Sequence, residues 1–184
     1  MFAETEPSRS PLFITRIAAF TAIGVVVGLA LVAVPNVEGV TAVCFMAGFL
    51  LGPLAGFICG ALTETLFAGF HPMGSSIGIT LISQVMGMSI TGLLGGVAGK
   101  LFSSVISLRN ALVIVAFGAL STFQFDLLTN LAYVVMAGFS FSQAFVVFAA
   151  ALPFAAIHLL SNLMVFSLIV VPLLPRLERT LVQS

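Results

Sequence analysis

Charge is scarce in this sequence: 7% of its 184 residues are Asp, Glu, Lys or Arg, where soluble globular domains carry about 25%. So little charge cannot cover a water-facing surface, which excludes a soluble enzyme, a nucleic-acid binder and a disordered chain. Six basic and six acidic residues cancel, so no imbalance points to nucleic acid or to an acidic surface as a partner. Cysteine occurs twice, as Cys44 and Cys59, both inside apolar runs and without metal-type spacing. That argues against a disulfide framework or a metal site and for small buried thiols. What fills the sequence instead is apolar: 60% hydrophobic residues and a mean hydropathy of +1.26. The composition is that of an integral membrane protein.

A helix crossing a bilayer needs roughly 17 to 25 apolar residues. Apolar runs of that length predict spans near residues 13–34, 77–99, 111–137 and 141–174, the first with 18 uncharged residues from Ile17 to Val34. The stretch from Val40 to Phe70 is too long for one ordinary span and barely enough for two. Charge decides between them. The basic residues fall in three places: Arg9 and Arg16, Lys100 and Arg109, Arg176 and Arg179. Only if the ambiguous stretch crosses twice do all of them face one side, as the positive-inside rule requires. Leu51-Gly52-Pro53 supplies the break, because proline removes a helix donor and clashes with the preceding turn. The expected fold is an all-α single transmembrane domain over 1–184 with six transmembrane helices, both termini cytoplasmic, and short helices 2 and 3 at 40–51 and 53–68. The external loops fall at 35–39, 69–76 and 138–140, and Pro153 predicts tilt or a kink in the long last helix. Glu4, Glu6 and Pro7 before a long first apolar run favour a retained helix over a signal peptide.

In lipid, small residues mark faces where helices touch. Gly48, Gly52, Gly56 and Gly60 recur every four residues, and Gly92, Gly95, Gly96 and Gly99 crowd the end of helix 4. Close packing inside one bundle accounts for both. Helix 1 carries Ala18 and Ala22 at i, i+4, with Gly24 and Gly28 on a neighbouring face; internal packing and docking of another subunit are equally compatible with that spacing. Gly74-Ser75-Ser76-Ile77-Gly78 matches the nucleophile-elbow pattern but lies between membrane helices rather than in a strand-to-helix turn. Gly99-Lys100 resembles the end of a P-loop, yet Leu101 replaces the required Ser or Thr. Neither carries chemistry.

Ionisable groups within spans are costly, about 2.5 to 3.5 kcal/mol on insertion scales, and are functional candidates by default. Asn36 and Glu38 fall in the first external loop, Glu64 near the outer end of helix 3, His71 in the next loop and Gln84 two turns into helix 4. On helix 5, Asp126, Asn130 and Tyr133 share a face at i, i+4, i+7 spacing, from which Gln124 is excluded. On helix 6, His158 and Asn162 form a further i, i+4 pair. Polar groups thus gather in the outer half and middle. An outward-opening ligand pocket has this pattern, with aromatic lining available from Phe67, Phe70, Phe123, Phe125 and Tyr133. The bland alternative is an interhelical network in which Asp126, Asn130, His158 and Asn162 satisfy one another, although such contacts average only about 0.6 kcal/mol in membranes. Glu38 and His71 are the weaker candidates, since loop residues facing water need no explanation.

Pro35-Asn36-Val37-Glu38, Gly48-Phe49-Leu50-Leu51-Gly52-Pro53, Phe125-Asp126-Leu127-Leu128-Thr129-Asn130 and His158-Leu159-Leu160-Ser161-Asn162, with Ala18-x-x-x-Ala22 on helix 1, resemble segments of a known family. They are similar to the substrate-binding S components of energy-coupling factor (ECF) transporters, over most of the chain from about Arg16 to Pro175. The resemblance implies a non-catalytic subunit of the prokaryotic cytoplasmic membrane that binds a vitamin or related micronutrient from outside. In that family, loops near helices 1 and 3 act as lids, and the Ala-x-x-x-Ala face docks on a transmembrane T component. Two cytoplasmic ATPases drive the T component, and the S component topples to release its ligand inside. Carried over, Ala18 and Ala22 form the docking face, loops 35–39 and 69–76 gate, and no cofactor is held permanently. The missing tryptophan departs from thiamin binders, and the motifs do not look like those of biotin or riboflavin binders. The ligand expectation is cobalamin or a fragment such as its benzimidazole nucleoside. His71 or His158 has an imidazole to offer cobalt, although a satisfied structural histidine is the simpler reading and no metal site is expected. Two competing classes stay open: a self-contained proton- or ion-coupled transporter with Glu64, Asp126 and His158 as its relay, and a membrane enzyme or assembly factor using the same cluster as acid and base.

Overall fold

The computed structural model describes residues 11–102 and 107–182; Arg9, Glu4, Glu6 and Pro7 lie outside the described residues. The described chain is helical throughout: α1 (Pro11–Leu31), α2 (Val40–Leu51), α3 (Pro53–Gly69), α4 (Gly78–Leu101), α5 (Leu108–Met136), α6 (Phe141–Val165) and α7 (Val171–Val182). A π-helical turn, Phe166–Val170, joins α6 to α7 into one rod. Four rods are long and apolar enough to cross a membrane: α1, α4, α5, and the last rod from Phe141 to Thr180. The α2 and α3 helices are shorter and apolar, at 12 and 17 residues.

The Leu51-Gly52-Pro53 break is a hairpin. Gly52 adopts φ 99°, a left-handed conformation that glycine enters without a Cβ penalty. Pro53 then opens α3 at a position whose backbone N–H has no partner within the helix to lose. Beyond the turn the two helices fold back together: a methyl on Gly56 would crowd the Gly48 Cα. At the far end of the pair, Val40 and Phe67 both pack on Gly28 of α1.

The α2 helix is the centre of the molecule. Every residue from Val40 to Phe49 is buried, as a helix that is apolar on all sides must be. Its Phe45 ring meets Phe166 edge-on at 5.1 Å and Phe117 at 6.3 Å, over Ile114, Val170 and Leu174. The glycine rows let α2, α3 and α4 approach backbone to backbone. A methyl on Gly48 or Gly56 would overlap the Gly92 carbonyl, one on Gly60 the Met88 carbonyl, and one on Gly95 the Phe45 carbonyl. Gly24 packs on Thr63 and Gly28 on Phe67, so the glycine face of α1 turns inward. Ala18 and Ala22 are exposed. Gln124, off the polar face of α5, ties that helix to α4 by donating to the Gly87 carbonyl at 2.8 Å and the Thr91 hydroxyl at 3.1 Å. Large apolar side chains such as Val26, Phe145 and Leu160 cover the outside.

The last rod departs from the single helix expected over 141–174. It runs on to Val182 and widens at Phe166–Val170. Pro172 and Pro175 lack the N–H groups that would bond the carbonyls four residues earlier, and the wide turn lies immediately before them. Pro153 sits within α6 itself.

Because consecutive helices alternate in direction, the loops 32–39, 70–77 and 137–140 gather at one end of the bundle. Arg16, Lys100, Arg109, Arg176 and Arg179 belong to the opposite end.

Candidate binding cavity

The loop end holds a cavity of about 800 Å3. Its walls come from the ends of α1 to α4, the middle of α5 and α6, and the loops after α1 and α3. Asn36, Glu38, Glu64, His71, Gln84, Asp126, Asn130 and His158 all line it. The sequence placed these groups on four helices and two loops; the fold brings them to one space.

The base of the cavity is a chain of hydrogen bonds. His158 Nδ1 lies 2.8 Å from Asp126 Oδ1, and its Nε2 lies 3.4 Å from Glu38 Oε1. Asn162 Nδ2 donates to the same Glu38 oxygen at 3.0 Å, while Glu38 Oε2 accepts from the Thr41 backbone N–H at 2.9 Å. That N–H is one of the orphan donors at the start of α2, and the helix terminus favours a negative charge there. One carboxylate therefore joins the α1–α2 loop, the α2 terminus and α6, and His158 extends the connection to α5. Burial pushes the Glu38 carboxyl up, but the His158 hydrogen bond and charge, the Thr41 N–H and the Asn162 amide outweigh it and hold its pKa below the usual 4.5.

Glu38 was the weaker candidate as a loop residue, and the structure makes it the hub; its side chain is only 19% exposed. Asn162 is fully buried and acts from beneath, holding Glu38 rather than lining the cavity. Asn130 lines the cavity while donating to the Asp126 backbone carbonyl at 2.7 Å. Tyr133 is not brought in: it lies beyond the cavity, exposed, with its ring 5.9 Å from Phe139. The mutual network of Asp126, Asn130, His158 and Asn162 is formed only in part, because Asn162 bonds Glu38 instead.

Phe67 and Phe125 line the cavity, and each meets an imidazole edge-on, Phe67 with His71 at 5.2 Å and Phe125 with His158 at 6.2 Å. Phe70 is exposed and outside it. Phe123 belongs to a separate apolar groove of about 340 Å3 between α5 and α6, which shares Asp126, Asn130, Ala151 and Ala155 with the cavity. Ala151, Ala155 and Phe154 were not anticipated. Ala151 and Ala155 precede His158 at i, i+4, i+7, so the periodicity of α6 carried the signal.

Both loops expected to gate contribute walls: Pro35, Asn36 and Glu38 from the first, His71, Met73 and Ser76 from the second. The first is shaped by Asn36 at φ 57°, a left-handed conformation that Asn tolerates. Two buried oxygens of cavity-lining residues have no protein partner, Glu64 Oε2 and Gln84 Oε1. Among the described residues, no group of three or more His, Cys, Asp or Glu is arranged to hold a metal ion. Cys44 and Cys59 are buried free thiols. The chain matches no family model, no curated protein and no solved structure.

Proposed function

We propose that the chain is the substrate-binding S component of an ECF-type importer in a prokaryotic cytoplasmic membrane. In this reading it crosses the bilayer six times, with α2 and α3 as short spans and both termini inside. It takes a vitamin or cofactor precursor from outside, and partner subunits hydrolyse the ATP. The observation that carries the reading is the cavity: a polar-floored space at the loop end, with every described Lys and Arg at the other end. The positive-inside rule turns that cavity outward.

The exposed Ala18–Ala22 face supports the same reading. The inward glycines account for how α1 packs on its own bundle, and the alanines stay exposed among the described residues. They are the proposed contact for a transmembrane T component. A volume of about 800 Å3 falls in the range of about 300–1,000 Å3 for drug-sized ligands. It suits the benzimidazole nucleoside of cobalamin better than the whole corrin.

The test is thermal stability of the purified chain against vitamins and cofactor precursors, together with co-purification of a T component. A ligand at 100 times its Kd adds about 2.7 kcal/mol by mass action. One stabilising compound plus capture of a T component supports the reading; the absence of both in folded protein refutes it. The continuous Asp126–His158–Glu38 chain favours one second reading, a proton-coupled transporter. Transport by the chain alone in liposomes, driven by a proton gradient, would establish that one.

A further inference from the structure

We propose that the ligand of this cavity is an organic cation, or a nitrogen compound rich in N–H donors, on an apolar aromatic body, and that Glu64 receives its positive end. The inference rests on the binding-protein reading above and changes its ligand class, since a benzimidazole nucleoside is neutral and its base has no N–H to donate.

Acidic groups outnumber basic ones in the lining. Glu38, Glu64 and Asp126 face the cavity, the basic side chains among its described residues are the imidazoles of His71 and His158, and no lysine or arginine lines it. Glu38 and Asp126 are engaged by His158, Thr41 and Asn162. Glu64 is not. It is 2% exposed, lines the cavity, and has a buried oxygen without a protein partner. A carboxylate removed from water is stable only when paired or hydrogen-bonded, so the site is complete when a donor arrives there. Gln84, on the facing helix α4, has a second unmatched oxygen at the same cavity. Both unmatched atoms can accept a hydrogen bond, so a cation or N–H donor on the ligand would satisfy the pair and hold Glu64 ionised.

An anionic ligand fits poorly, since its charge would meet these carboxylates with no guanidinium or ammonium to receive it, and the His158 ring is already held between Asp126 and Glu38. A metal ion fits poorly too, because the described residues provide no cluster of three ligating side chains. Phe67 and Phe125 add aromatic lining for the apolar body of the guest.

Matched probes test this on the full chain in a neutral detergent. The pairs are 9-aminoacridine with acridine-9-carboxylate, and pyridoxamine with 4-pyridoxate, each pair sharing one body and differing in charge. Dose-dependent thermal stabilisation is expected from a cation and not from its carboxylate partner, and Glu64→Gln should weaken that cation at least tenfold. Equal or greater stabilisation by a carboxylate overturns the proposal, as does a cation response unchanged in Glu64→Gln. Silence from all four probes in folded protein overturns it as well. Should Glu64→Gln fail to fold, the cation-against-carboxylate comparison on the unaltered chain decides alone. Capture of a T component is scored in parallel. Capture without a cation response rejects the ligand class and keeps the importer reading; a cation response without capture does the reverse.

Discussion

His158 on α6 is held 2.8 Å from Asp126 on α5, ring nitrogen to carboxylate oxygen, with the histidine side chain 7% exposed and the aspartate 21%. Hydrogen bonds to a charged group are worth about 1.5–3 kcal/mol. Asp126→Ala is therefore expected to lower stability by about that amount, and a double-mutant cycle with His158→Ala should show the two losses to be strongly non-additive. Additive losses would mean that the pair does not act as a unit.

Acid should loosen the first loop through Glu38. Its pKa is held below 4.5 in the folded protein. A carboxyl depressed on folding contributes stability that is present above its unfolded pKa and lost as pH falls through the folded value. Thermal stability should accordingly decline as pH drops through 4.5 and below, and Glu38→Gln should be less stable at neutral pH with a shallower decline over that range. Parallel pH profiles for the two proteins would contradict this.

The glycine interface predicts a sharp contrast between a glycine inside it and one outside it. Gly92→Ala would drive a methyl into the backbone of Gly56, whereas a methyl on Gly69 meets open space. Overpacking typically costs about 1–3 kcal/mol and more against rigid backbone. Gly92→Ala should lower the melting temperature strongly and Gly69→Ala hardly at all, measured in the same detergent.

The two small-residue faces of α1 should separate folding from transport. Gly24→Val presses on Thr63 and should destabilise the isolated chain. Ala18→Leu and Ala22→Leu point outward and should leave both stability and ligand affinity unchanged, yet abolish uptake in the assembled importer. Loss of ligand affinity in the alanine variants would show that they serve the fold.

Much of the helical framework was legible because apolar run length and proline placement are local signals. The hairpin at Gly52 follows from Leu51-Gly52-Pro53, and the inward glycines follow from their four-residue spacing. The site was legible less evenly. Periodicity found Asp126, Asn130 and His158, but it also selected Tyr133, because a helical wheel reports angle and not depth. Glu38 was undervalued for a related reason: nothing local shows that a loop carboxylate will be folded down onto an α6 histidine 120 positions away. The π turn depends on how the helix accommodates Pro172 and on the burial of Phe166 and Val170, which is tertiary information.

The central claim is that this chain binds its ligand but does not transport it without partner subunits. The most direct measurement is ligand uptake into proteoliposomes containing the chain alone or with a T component and two ATPases, with and without ATP and a proton gradient. The account predicts ligand binding but no uptake by the chain alone, and ATP-dependent uptake once the partners are present. Accumulation by the chain alone under a proton gradient, lost in His158→Ala, would contradict it.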